Sequence, residues 1–448
     1  MVITHQSRRL INIGAIKNTF YKMLNRKTAP PIVDAVNFKL HLKPYDLFSL
    51  DNGVPVYTIN AGAQEVIQIE MVFYAGNWYE QRQGIAAATN FMLKNGTAKK
   101  TALEINEAFE YYGAYCNRSC YSETAVLTLH TLTRHLDVLL PVMNDMLTEA
   151  SFPEQELEIF KQNSKQRLAV NLQKPEFVAA RLIDSYVYGE QHPYGKYTLA
   201  EHIDALTTEE LKVFYASYYL QGQCAIFVSG QLPANLQTQL NTWFGKLQLT
   251  KPTFLSSIIE TQPVIQKKYR IENDVNAVQG AIRMAQPFPN RHHPDFKKVV
   301  VLNNIFGGFF GSRLMNNIRE EKGYTYGIHS YLHNHIQQSA WMISTEAGKD
   351  VCEATIDEVY KEMKKLREEP VDEEELLLVQ NYMMGSILGD LDGPFHIMAK
   401  WKNIILNNLG EAYFYESVKA IKDINPEELM ELSDKYLQPE NFYELVVY

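Results

Sequence analysis

Four cysteines in 448 residues are too few for a disulfide framework. Cys116, Cys120, Cys224 and Cys352 contain no C-x-x-C pair, and Cys116 and Cys120 fall in an alternating stretch where both would point to one side of a strand. That pattern suits reduced thiols in a reducing compartment. Also missing is any run near the ~18 apolar residues that span a bilayer, so no membrane partner is expected. Positive charge is not in excess. Lys and Arg number 43 against 52 Asp and Glu, giving a net charge of −9, which argues against nucleic acid as the main partner. No Gly-rich phosphate loop and no Ser/His/Asp order stand out. What is present is a globular composition, 46% hydrophobic and 21% charged, in a chain long enough for two domains with separate cores.

The first thirty residues differ from the rest: they hold six Lys or Arg and no acid, and Asp34 is the first carboxylate. A basic, acid-free, amphipathic start has the character of a mitochondrial-type targeting segment. Met23 offers an alternative start, in which case the preceding residues are translated upstream sequence.

Beyond Pro30-Pro31 the pattern alternates between strand and helix. Asp51-Asn52-Gly53 reads as a hairpin turn. The apolar strand VIQIEMVF breaks at Ala75-Gly76 and leads to GIAAATNFMLKNGT, residues 84–97: a short buried helix closed by Asn95-Gly96. An amphipathic helix stopping at Gly113, two alternating strands and a further helix follow. A helix is expected over 160–175, then a loop at His192-Pro193-Tyr194-Gly195, a buried strand ending at Gly230 and a closing helix. A Pro- and Ser-bearing linker runs over about 247–268. After it the order repeats, with strand AVQGAIRMA, two helices, two strands and another helix.

Strand, Gly turn, helix and terminal Gly-Thr make up the frame of the inverted zinc motif H-x-x-E-H. On these residues the chain resembles the pitrilysin/insulinase (inverzincin) family of peptidases, specifically a short-chain bacterial branch similar to the mitochondrial processing peptidase. The resemblance extends over roughly 54–448. It implies an α+β fold of two homologous halves, each a mixed sheet covered by helices, closing as a clamshell around unfolded peptide. The implied divisions are an N-terminal extension (1–35), a peptidase-like domain with the motif (36–246), the linker (247–268) and a second peptidase-like domain (269–448).

The motif positions map onto Ala87, Asn90 and Phe91, none of which can ligate zinc or polarise water. The family's third ligand, a Glu on the later helix, maps near 166–168, where Lys161, Lys165, Arg167 and Lys174 make the segment cationic. No catalytic residue and no metal are therefore expected in this chain. The segment FGGFFGSRLMNNIREEKGYTYG resembles the family's substrate-gripping stretch, and Arg319 and Tyr326 match its Arg and Tyr. A guanidinium and a phenol can both donate to a scissile carbonyl. Arg313, His130, His135 and His192 read as structural. His333-Asn334-His335 and His292-His293 lack further ligands for a metal site.

The resemblance implies a zinc-free subunit, inactive alone, that completes a peptide chamber for a homologous zinc-bearing partner. The alternatives are a homodimer, a purely structural scaffold, and a stand-alone peptidase with a displaced site. The expected location is the bacterial cytoplasm, with mitochondrial-type targeting as the alternative.

Overall fold

The computed structural model describes residues 33–253 and 259–448, so the basic N-terminal segment lies outside the described residues. Two mixed sheets, each covered by helices, form the two halves of the clamshell. The strands of the first half are β1 (Asp46–Ser49), β2 (Pro55–Asn60), β3 (Val66–Phe73), β4 (Tyr115–Cys120), β5 (Ala125–Leu132) and β6 (Cys224–Gly230). Its helices are α1 (Ile85–Met92), α2 (Ala102–Glu110), α3 (Leu136–Thr148), α4 (Glu154–Asn171), α5 (Pro175–Tyr188), α6 (Ala200–Asp204), α7 (Thr208–Tyr215) and α8 (Leu236–Phe244). The second half contains β7 (Lys268–Ile271), β8 (Gln279–Phe288), β9 (Thr325–Asn334), β10 (Ser339–Gly348) and β11 (Tyr443–Val447). With them come α9 (Phe296–Asn303), α10 (Cys352–Glu368), α11 (Glu373–Gly389), α12 (Pro394–Leu406), α13 (Ala412–Asp423) and α14 (Pro426–Tyr436).

The sheet orders are β1-β2-β6-β3-β5-β4 and β7-β11-β8-β10-β9. Without the edge strand β1, the two orders match position for position. The single parallel pairs, β2 with β6 and β7 with β11, also fall in the same place. The repeat visible in the sequence is thus a repeat of sheet topology.

Alternation along the strands gives each sheet two apolar faces. Ile67, Ile69, Met71 and Phe73 of β3 face the larger core with α1, α3 and α7. Val72 faces the other way, with Ile59, Phe227 and Trp401. Trp401 belongs to α12, a helix of the second half. Reciprocally, Ala179, Ile183 and Val187 of α5, a helix of the first half, pack with Ala281, Ala285, Leu445 and Val447 of the second sheet. Each half therefore lends a helix to the other's sheet. The exchange is reinforced by Lys402 Nζ, which bonds both carboxylate oxygens of Glu70 on β3 at 2.7 and 2.8 Å.

The helix expected over 160–175 is displaced: it is α4, and Pro175 begins α5. Acids at Glu154 and Glu156 favour a helix start there. A proline without an N–H fits the first turn of the next helix better than the end of the last. The 247–268 linker is not free of structure in its described part, because Gln262 and Val264 donate backbone bonds to Tyr188 and Tyr186 of α5 at 2.9 and 3.1 Å. The four cysteines are free thiols.

Candidate functional site

α1 ends as its sequence requires. Gly96 has φ +133°, a conformation side chains disfavour, and a Cβ there would meet the Pro153 ring at 3.1 Å. Within this frame Ala87 is exposed, while Asn90 is buried and donates from Nδ2 to Tyr219 Oη at 3.2 Å. Phe91 packs its ring against Phe160 of α4, centroids 5.0 Å apart. The Arg118 guanidinium, from β4, covers the Phe91 ring at 4.4 Å and is fixed by donating Nε to Phe91 O at 2.6 Å and Nη2 to Asn95 Oδ1 at 3.2 Å.

These residues do not fit zinc. The second imidazole position holds a ring already in contact with another aromatic and with a cation. A guanidinium at that distance repels a dication instead of ligating it. Among the described residues no three His, Cys, Asp or Glu side chains come together in a way that could hold a metal ion.

The α4 residue that meets Phe91 is Phe160, about two turns N-terminal of the expected 166–168. Nor is the helix simply cationic, since Lys161 pairs with Glu158 at 2.7 Å and Lys165 with Asp204. Sequence reading also passed over Arg118, Phe160 and Glu80. Glu80 accepts from the backbone N–H of Gly84 at 3.1 Å and Ala86 at 2.9 Å, at the N-terminal end of α1. Burial pushes its carboxyl up to about 7 despite those bonds. A carboxylate four residues before Gly84 was the available signal.

In the second half, Gly323 at φ +67° ends the wide-turned helical segment Met315–Glu321 and turns the chain into β9. Arg319 Nε donates to Tyr326 O at 2.9 Å, and its guanidinium lies 4.8 Å from the Phe310 ring and pairs with Glu320. Tyr326 is 92% exposed, its side chain free of core packing, and Phe310 is 67% exposed. The structure thus brings Arg319 and Tyr326 together through a backbone carbonyl, with the phenol projecting into solvent. Arg313 forms a bidentate pair with Glu375 at 2.9 and 2.8 Å, a structural role.

The imidazoles have local partners. His192 Nδ1 accepts from Tyr194 N at 3.1 Å and its ring packs beside Trp78. His333 and His335 lie on the β9–β10 hairpin, where Glu123 of the first half accepts from Tyr194 Oη at 2.5 Å and from Ile336 N at 2.9 Å. His333 Nδ1 is 3.5 Å from Asp184 Oδ1 of α5. His292 meets Asn407 O at 2.8 Å.

A sequence profile described as "Insulinase (Peptidase family M16)" matches residues 56–198, and one described as "Peptidase M16 inactive domain" matches 205–383. A Bacillus subtilis protein named as an uncharacterized zinc protease is 23% identical over 364 residues, 79% of this chain and 86% of that protein. A probable mitochondrial-processing peptidase subunit beta of Arabidopsis thaliana is 20% identical over 308 residues, 66% of this chain and 57% of that protein. Among solved structures, a peptidase M16 inactive domain from Pseudomonas fluorescens superposes with a TM-score of 0.80 at 24% identity, covering 90% of this chain and 98% of that one.

Proposed function

From the premise that the chain belongs to the M16 (insulinase) peptidase family, we propose that it is the zinc-free subunit of a paired peptidase. It completes the peptide chamber and presents Arg319 and Tyr326 to substrate held against a partner's zinc. The observation that carries this reading is the filled motif: Phe91 stands at the second imidazole position, packed against Phe160 and covered by the Arg118 guanidinium. The exposed Tyr326 side chain, on a residue whose backbone carbonyl holds Arg319, supports the second part, since the phenol is available to a bound peptide. Glu320 competes for the guanidinium and would have to give way to a substrate carbonyl.

On this reading 36–246 and 269–448 are the two peptidase-like units, separated by 247–268, and the preferred substrate is short unfolded peptide. Backbone pairing to a sheet edge would contribute to holding it. The partner is a homologous chain with an intact H-x-x-E-H, and the pair works in the cytoplasm. The match to a protein whose name includes "subunit" supports pairing. Among the described residues no helix is long and apolar enough to cross a membrane.

The test is to mix the purified chain with a zinc-bearing homologue and follow cleavage of an unstructured peptide. A stable complex that cleaves, and that loses about tenfold or more of its rate with Arg319→Ala, is expected. A complex whose rate ignores Arg319→Ala would leave the chain as a scaffold.

A further inference from the structure

Away from both motifs, the second half contains a cavity of about 580 Å³ between α9, α11, α12 and α13. That volume is within the range of small-molecule sites. Its wall is apolar where Val300, Ile387, Ile404 and Phe414 meet. Arg291, Lys297, Lys400 and Asp390 supply its charge, three cations against one carboxylate. Two of the cations are neutralised: Lys400 pairs with Asp390 at 2.9 Å and Lys297 with Glu416 at 2.8 Å.

Arg291 is different. Among the described residues no carboxylate pairs with it, and its Nε is buried with no hydrogen-bond partner. Its guanidinium lies 5.8 Å from the Phe296 ring at the cavity wall. A guanidinium at a cavity wall with no paired carboxylate is matched in charge and geometry by a carboxylate entering the cavity. Ser386 and Asn403 add polar atoms to the same lining.

We propose that this cavity is a binding site for a small amphipathic acid, its carboxylate on Arg291 and its apolar body among Val300, Ile387, Ile404 and Phe414. The inference is independent of the peptide-handling reading. Two sources share this chemistry, a free fatty acid and the carboxyl end of a short apolar peptide.

Calorimetric titration of the full chain tests it. The probes are decanoate with decanol as its neutral counterpart, below their aggregation limits, and N-acetyl-leucyl-phenylalanine with its amide. Saturable one-site binding of at least one acid, about tenfold or more tighter than its neutral counterpart, is expected. Decanoate alone would point to the lipid source and the dipeptide acid alone to the peptide source. Arg291→Gln should bring the acid down to the level of its neutral counterpart, with Arg291→Lys intermediate. Ala399→Phe, at an exposed position of the lining, should block binding while leaving the fold intact by circular dichroism. The proposal fails if neither acid binds, if acid and neutral probe bind alike, or if Arg291→Gln or Ala399→Phe leaves acid binding unchanged.

Discussion

The phenol of Tyr194, from the first half, is stacked on the imidazole of His335, from the second, with ring centroids 3.9 Å apart and planes within 10°. Backbone bonds from Ile336 and Gln337 to Glu123 and Tyr194 Oη close the same contact at 2.9 and 3.2 Å. Burial and the neighbouring His333 and His192 push His335 down to about 3. A histidine depressed in the folded state binds more protons when unfolded, so stability is lost as pH falls from about 6.5 toward 3. His333, raised by Asp184, acts in the opposite sense and loses its contribution as pH rises. His335→Phe keeps a ring on Tyr194 and cannot take a proton. Chemical denaturation at a series of pH values should show its stability falling less steeply below pH 6.5 than that of the parent chain, by up to about 1 kcal/mol per pH unit.

Glu80 titrates in the other direction. Its folded carboxyl is raised, so the folded chain holds the proton more tightly, and stability falls as pH rises from the ordinary carboxylate range to about 7. Glu80→Gln removes the charge and keeps one oxygen for Gly84 or Ala86. It should be more stable than the parent at pH 8, by about 1–3 kcal/mol, and near parity at pH 5. Denaturant midpoints at the two pH values decide this, and equal differences at both would remove the buried-carboxylate explanation.

Restoring the three motif residues should not restore a metal site. In Ala87→His/Asn90→Glu/Phe91→His, Arg118 and Phe160 remain, and the new carboxylate takes the place of the amide that donated to Tyr219. The triple variant is expected to retain no stoichiometric zinc after dialysis against a weak chelator. Adding Arg118→Ala and Phe160→Glu should raise retention. Metal content by elemental analysis is the readout, and tight zinc in the triple variant alone would remove the blocking role given to Arg118 and Phe160.

The Lys402–Glu70 pair joins a helix of one half to the central strand of the other. Lys402→Met leaves the Glu70 carboxylate largely buried without its cation, and a loss of about 3 kcal/mol is expected. Lys402→Met/Glu70→Leu should recover most of it. A double variant as unstable as the single would place the energy in packing instead of charge.

Tyr326→Ala, by contrast, should change stability by less than about 0.5 kcal/mol, because the ring is 92% exposed. A larger loss in thermal unfolding would mean that the phenol is a structural residue.

Much of the fold was legible in the sequence because its strands alternate cleanly and its helix ends carry Gly: the hairpin at Gly53, the stops at Gly96 and Gly113, and the repeat across 247–268 all have local signals. α5 and α12 were not read, and they are the two exchanged helices. Their apolar residues complete a sheet that is remote in sequence, and nothing local to 175–188 or 394–406 says which sheet that is. At the motif, the blank positions could be read from residue type alone, whereas the packing of Phe160 and Arg118 around Phe91 could not. Phe160 is 69 positions from Phe91, and Arg118 reaches it from an intervening strand. Phe160 and the expected 166–168 lie on the same helix, α4, and only the fold shows which of its residues meets Phe91.

The exchange of α5 and α12 constrains how such a chain can be cut or evolve. A protein ending at the linker would keep α5 with nothing to cover and a first sheet stripped of Trp401 and Lys402. Neither fragment would make a sound module to shuffle into another gene. Duplication could create this architecture, but once the helices had crossed over, the copies were committed to being inherited, synthesised and degraded as one piece.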